Sequence, residues 1–151
     1  PVTEMPQPEI AAPAPPPLVI IQRGEASFYA DGFYGHPTAD GTPFDQNALT
    51  AASKVIPLGA KAEITNLRTG KSVVVIVNDR GPHVRGRIVD LSKRVAQEIG
   101  IDDGVAPVRV VARAADQPTP ELRAKIAEIA TVRQAHKKQH AEAASAETGA
   151  P

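Results

Sequence analysis

The sequence predicts a mainly β fold: a small closed barrel carrying one short helix, with a separate helix at the C-terminus. Ten of the eleven glycines and most of the β-branched residues fall between 24 and 113. Turn signals at Asp31-Gly32, Asp40-Gly41, Thr69-Gly70 and Gly81-Pro82 cut that stretch into short segments, and only one helical period interrupts them. Short strands, long Gly-bearing loops and one helix within about 90 residues are satisfied by closing the sheet on itself, which leaves no unpaired edge.

The elements follow in order. Residues 1–23 read as a Pro-rich tether, largely disordered: seven of the first seventeen residues are proline, mixed with Ala, Gln and Glu, a composition that favours polyproline II and cannot bury a core. Residues 24–113 form the folded domain. Its β-branched content places strands over 25–29, 60–67, 71–78, 87–89 and 107–112, with a hairpin turn over 66–70. Ser92 caps a helix that buries Val95, Ala96 and Ile99 and stops at Gly100, which supplies the left-handed C-terminal position. Residues 114–151 comprise a linker and a second helix starting near Thr119 or Pro120. Leu122, Ile126 and Ile129 share one face of it, which docks on the barrel or serves a partner. The apolar stripe weakens after Val132, so the end is expected to fray.

Composition removes several functions. Seventeen Lys+Arg balance seventeen Asp+Glu, so the basic excess of a nucleic-acid binder is missing. The absence of Cys excludes a disulfide scaffold and thiolate chemistry. Four scattered His offer little for a metal cage, and neither metal nor cofactor is expected. No apolar run approaches the roughly 18 residues of a membrane span. All five aromatic residues, Phe28, Tyr29, Phe33, Tyr34 and Phe44, lie within seventeen residues, a cluster suited either to stacking on sugar rings or to plugging one end of the barrel.

Two carboxylates stand where chemistry could occur. The run Val73 to Val77 is apolar throughout and ends in Asn78-Asp79-Arg80-Gly81-Pro82, so Asp79 is held at the end of a rigid strand, as proton transfer requires. The same pattern is met by a polar turn in which Asp79 bonds backbone amides. Asp90, the second acid, stands where a strand meets the start of the first helix and could complement the helix dipole, pair with Arg80 or Arg87, or form an acid/base pair with Asp79. The loop from Phe28 to Asp45, with His36, Thr38 and Asp40, offers hydroxyl partners, and His83 is either a second proton carrier or a solvated loop residue.

In order and spacing, the segments 24–29 (GEASFY), 34–41 (YGHPTADG), 44–45 (FD), 49–52 (LTAA), 57–59 (PLG), 65–67 (TNL), 70–73 (GKSV), 78–82 (NDRGP), 86–92 (GRIVDLS) and 104–108 (GVAPV) resemble the double-psi β-barrel domain of the rare lipoprotein A (RlpA) family, which is related to expansins. The resemblance covers about 24–112. It implies a six-stranded double-psi barrel and an endolytic lytic transglycosylase acting on peptidoglycan, often at the septum. Such enzymes cleave between N-acetylmuramic acid and N-acetylglucosamine and leave a 1,6-anhydromuramoyl end. The family's catalytic Asp corresponds to Asp79, and expansins are similar around a second Asp, matching Asp90. Tyr29, Tyr34, Asp45, Arg80, His83 and Asp90 are the expected substrate-binding set.

Two positions depart from the active pattern: Thr42 stands where active relatives carry Glu, and Ser53 where they carry His. The alternative function is therefore a non-catalytic, expansin-like peptidoglycan-binding module. The resemblance also implies the periplasm or cell envelope of a Gram-negative bacterium, with an outer-membrane lipoprotein as the full-length precursor form. A monomer is expected, and the C-terminal helix is a candidate site for an envelope or division protein.

Overall fold

The structure, a computed structural model, describes residues 18–28 and 35–148, with only the backbone described over 140–148. Most of the proposed tether, residues 1–17, lies outside the described residues. Six strands close a barrel in the order β1-β5-β2-β4-β3-β6. They are β1 (Val19–Phe28), β2 (Thr50–Ser53), β3 (Lys61–Asn66), β4 (Ser72–Asp79), β5 (Arg87–Leu91) and β6 (Ala106–Arg113), with helix α1 (Lys93–Glu98) between β5 and β6 and helix α2 (Pro120–Thr148) after β6. The mainly β barrel, its six strands and its two helices agree with the expected fold.

Two boundaries need correction. Residues 19–23, assigned to the tether, form the first half of β1 and pair antiparallel with β6 from Val19↔Arg113 to Arg23↔Arg109. The prolines stop at 17, after which Ile20 can bury completely in the barrel. The short β2, Thr50 to Ser53, was not expected from its own residues. It forms because β4 and β5 satisfy its backbone on both sides, parallel to β4 and antiparallel to β5.

Side chains that alternate inward fill the barrel: Ile20, Ala26, Ala51, Ile64, Val75, Val77, Val89, Leu91, Val108, Val110 and Ala112 are all buried. At about 1.5–3 kcal/mol per fully buried aliphatic side chain, this set is the main favourable term. Between β3 and β4, the Gly70 amide donates to Asn66 O at 2.8 Å, and Gly70 supplies the positive φ of 75° that the turn requires. In α1, Ser92 Oγ accepts from Val95 N and Val95 and Ala96 are buried, while Gly100 ends the helix with φ 78°.

α2 docks on the barrel. Ile126 and Ala130 are buried, and Leu122, Ala127 and Ile129 pack beside them against the core. Gln117 ties the approach to this helix: its side chain accepts from Lys61 N at 2.7 Å and donates to Lys61 O and Arg113 O at 3.0 and 2.9 Å. The helix continues to Thr148, well past the point where the stripe fades, since an Ala-rich segment keeps its helical preference without an apolar face.

Candidate functional site

Along β4, Val75 and Val77 point into the barrel while Val74 and Ile76 are exposed. Strict alternation would send Asp79 inward as well. Instead, the parallel ladder passes from Ala51↔Val77 to Ala52↔Asp79, leaving Asn78 as an extra residue. This bulge reverses the phase of the strand and brings Asp79 to the outer face beside Ala52.

Ala52 is also the partner of Asp90 in β5, and Asp90 is the partner of Ser27 in β1. Ser27, Asp90, Ala52 and Asp79 thus occupy one row across four neighbouring strands. Two strand spacings put the Cα atoms of the carboxylates about 10 Å apart, with Ala52 between them in the row.

The two carboxylates are held differently. Asp79 Oδ1 accepts from Ala39 N and from Arg80 N, each at 2.9 Å. Asp90 Oδ1 accepts from Ser27 Oγ in a short hydrogen bond and pairs with Arg87 at 3.4 Å, while Arg87 Nε donates to Ser27 Oγ at 3.0 Å. Of the three roles open to Asp90, pairing with Arg87 is the one observed.

Arg80 points toward structure. Its Nη1 donates to Ser53 O at 2.9 Å and Ile56 O at 2.6 Å, clamping the turn after β2. Ser53 is fully buried, and its Oγ accepts from Val55 N and Ile56 N at 3.2 and 3.1 Å. One arm of the Arg80 guanidinium is therefore committed to backbone carbonyls.

Residues 35–44 turn back on themselves, with Gly35 N donating to Phe44 O at 2.9 Å and Phe44 N to His36 O at 2.8 Å. At the tip, Thr42 is exposed and bonds Asp40, and Thr38 is buried beneath them. The Thr38 and Thr42 hydroxyls hold the Asp40 carboxyl below its ordinary value of 3.8. Asp45 is exposed and accepts from Asn47 N at 2.8 Å, closing a local turn. Phe44 is buried and Phe28 is partly buried against the core, so both pack. His83 is exposed in the loop joining β4 to β5. Tyr29 and Tyr34 lie outside the described residues.

Of the expected site residues, the structure gathers Asp79, Arg80, Ser53 and Asp90 around β2, places Thr42 in the tip that donates to Asp79, and leaves Asp45 and His83 on exposed loops. Ser27 was missed. Its signal was the alternation at the end of β1, where buried Ala26 implies that Ser27 faces out. Among the described residues no group of three or more His, Asp or Glu is arranged to hold a metal ion.

The family model described as lytic transglycolase matches residues 21–110. A protein of Nostoc sp. named probable endolytic peptidoglycan transglycosylase RlpA is 53% identical over 91 residues, covering 58% of this chain and 24% of the relative. Its namesake in Vibrio cholerae, without the word probable, is 41% identical over 128 residues, covering 83% of this chain and 49% of the relative. The chain thus spans at most about half the length of these two relatives. Among solved structures, apo expansin of Clavibacter michiganensis is similar over 62% of this chain and 50% of its own, with TM-score 0.48 and 22% identity. The Streptomyces papain inhibitor is similar over 62% of this chain and 96% of its own, with TM-score 0.47 and 23% identity.

Proposed function

Because the chain belongs to the lytic transglycolase family of double-psi β-barrels, we propose that it is an endolytic peptidoglycan transglycosylase of the cell envelope, with Asp79 as its general acid and base. The names borne by its relatives support peptidoglycan as the substrate. The observation that carries the reading is the bulge that turns Asp79 outward, with Oδ1 held by two backbone amides and Asp90 in the same row. An acid fixed on a rigid strand end is what proton transfer to a glycosidic oxygen needs.

In this reaction the Asp79 carboxyl protonates the oxygen between N-acetylmuramic acid and N-acetylglucosamine, and the C1–O bond breaks. The resulting carboxylate takes the proton of the muramoyl C6 hydroxyl as that oxygen bonds to C1, closing the 1,6-anhydro ring. The proton count balances and no water enters. One titrating carboxylate therefore suffices, and the separation rules of two-carboxylate glycosidases do not apply. Asp90 already accepts from Ser27 and Arg87; its role is to shape the groove. Tyr29, Tyr34, Asp45 and His83 complete the proposed sugar-binding set, while Arg80 positions the strand end. Periplasmic location, septal action, lipoprotein anchoring and a partner for α2 belong to the same reading.

The test is to incubate the protein with purified sacculi and with peptide-free glycan and to measure anhydromuramoyl ends by mass spectrometry. Wild type is expected to release them and Asp79→Asn to lose roughly 100-fold or more, the usual scale of general acid–base catalysis. Equal background from both proteins would overturn the enzyme reading.

A second reading is favoured by one observation: Ser53 and Thr42, where active relatives carry His and Glu, are both engaged in holding backbone and neighbouring side chains. In it the barrel binds glycan without cleaving it. Sedimentation with sacculi without released product supports this alternative, and failure to sediment removes it.

A further inference from the structure

The hairpin tip over the end of β4 is tied by a residue that the proposed reaction does not use. Asp40 Oδ1 has Thr38 Oγ1 at 2.6 Å, Thr42 Oγ1 at 2.5 Å and Thr42 N at 3.0 Å. Two backbone bonds close the same turn: Thr38 N donates to Thr42 O at 2.8 Å and Gly41 N to Thr38 O at 2.9 Å. Gly41 has φ 89°, a conformation that lets the chain reverse within these few residues. Thr38 is 6% exposed, so the knot has a fixed base as well as a tied top.

The knot presents two consecutive amides to β4. Ala39 N donates to Asp79 Oδ1 at 2.9 Å, and Asp40 N donates to Asn78 O at 3.1 Å. The tip therefore docks on both the bulge residue and the carboxylate that follows it. Of the two amides on Oδ1, that of Arg80 is delivered by the adjacent peptide. The Ala39 amide comes from 40 residues earlier in the chain and is present only while the tip keeps its shape.

We propose that Asp40, tied by Thr38 and Thr42, is a positioning residue for Asp79, holding the Ala39 amide on Oδ1 so that the acid proton is carried on Oδ2. An oxygen that accepts two N–H donors is a poor place for a proton, so the second amide selects the other oxygen and fixes the direction in which the acid can act. The inference rests on the reading of Asp79 as the acid and base of the proposed reaction. It gives Thr42 a task in this chain: its hydroxyl and its amide both hold Asp40.

The test uses the full chain labelled with 15N, measuring hydrogen exchange of the Ala39 and Arg80 amides at a fixed pH of about 7, where the tip is tied. In wild type and Thr42→Ser, both amides are expected to be protected, and both lose protection in Asp79→Ala. In Asp40→Asn and Thr42→Val, Arg80 keeps its protection and Ala39 loses it. On glycan, the same two variants lose about tenfold in kcat with KM within about twofold, and Thr42→Ser matches wild type.

Ala39 as protected in Asp40→Asn and Thr42→Val as in wild type would overturn the proposal, as would Thr42→Ser behaving like Thr42→Val. If wild type releases no anhydromuramoyl product, the transglycosylase reading falls, while amide exchange still decides whether Asp40 positions Asp79.

Discussion

Asp79 and Asp90 share a register partner yet differ in what satisfies them: backbone amides for the first, a hydroxyl and a guanidinium for the second. Ser53 shows the same reliance on backbone, because its Oγ takes two amides inside a fully buried turn. A His at this position would crowd a packed site and strip both amides of their acceptor. Ser53→His is therefore expected to lower stability by about 1–3 kcal/mol in chemical denaturation, whereas Thr42→Glu, at an exposed tip, costs far less. Asp40 adds a pH prediction. Its folded pKa lies below 3.8 because of the Thr38 and Thr42 hydroxyls. The stabilisation is then complete above the unfolded value and lost as pH falls through the folded one. The tip is expected to hold its order from neutral pH down to about 4 and to loosen below that. Amide exchange at Thr42 measures this, and Asp40→Asn should abolish the dependence.

At the scale of elements, β2 and α2 divide the tasks. β2 has little strand propensity of its own and exists because two neighbours pair with it, yet Ala52 within it sets the row that holds both carboxylates. α2 is anchored by its first three turns. Ile126→Ala, at a fully buried position, is expected to cost about 2–4 kcal/mol, while Val132→Ala, at a position 53% exposed, should stay within about 0.5 kcal/mol. Gln117→Leu leaves the Lys61 amide and carbonyl without their partner and should cost about 1–3 kcal/mol. Urea melts of the three variants separate these outcomes. The helix α1, the hairpin turn and four of the strands were legible because each is written in local pattern: a cap, a turn glycine, a β-branched run. The strand β2 and the first half of β1 were not. Thr50 to Ser53 is small and short, and the prolines before Leu18 hid the apolar run Val19-Ile20-Ile21. Asp79 was legible as the end of an apolar run, but its direction was not, because the extra residue at Asn78 is a property of pairing with β2 and has no local signature.

At the scale of the whole molecule, one end of the barrel carries the two-carboxylate row and the other anchors α2. Both parallel pairs, β1 with β5 and β2 with β4, contain a one-residue register shift, and each shift lies just before the row that holds Ser27, Asp90, Ala52 and Asp79. α2 attaches elsewhere: Arg133 donates to Ile21 O at 3.3 Å, near the start of β1. Ser27 lies six residues further along the same strand, and at 3.3 Å per residue that separates the contact from the row by about 20 Å. Distance along a rigid strand makes the tail separable from the site. Removing 139–151 leaves every described residue of the packed stripe in place and should leave the melting temperature and sacculus sedimentation unchanged. Removing 119–151 strips Ile126 and Ala130 from the core, so the truncated barrel should melt lower by several degrees, as expected for a loss of a few kcal/mol. It should still sediment with sacculi at a temperature where it is folded. Loss of sedimentation in the shorter truncation would place part of the glycan-binding surface on α2 and end the separation of the two ends.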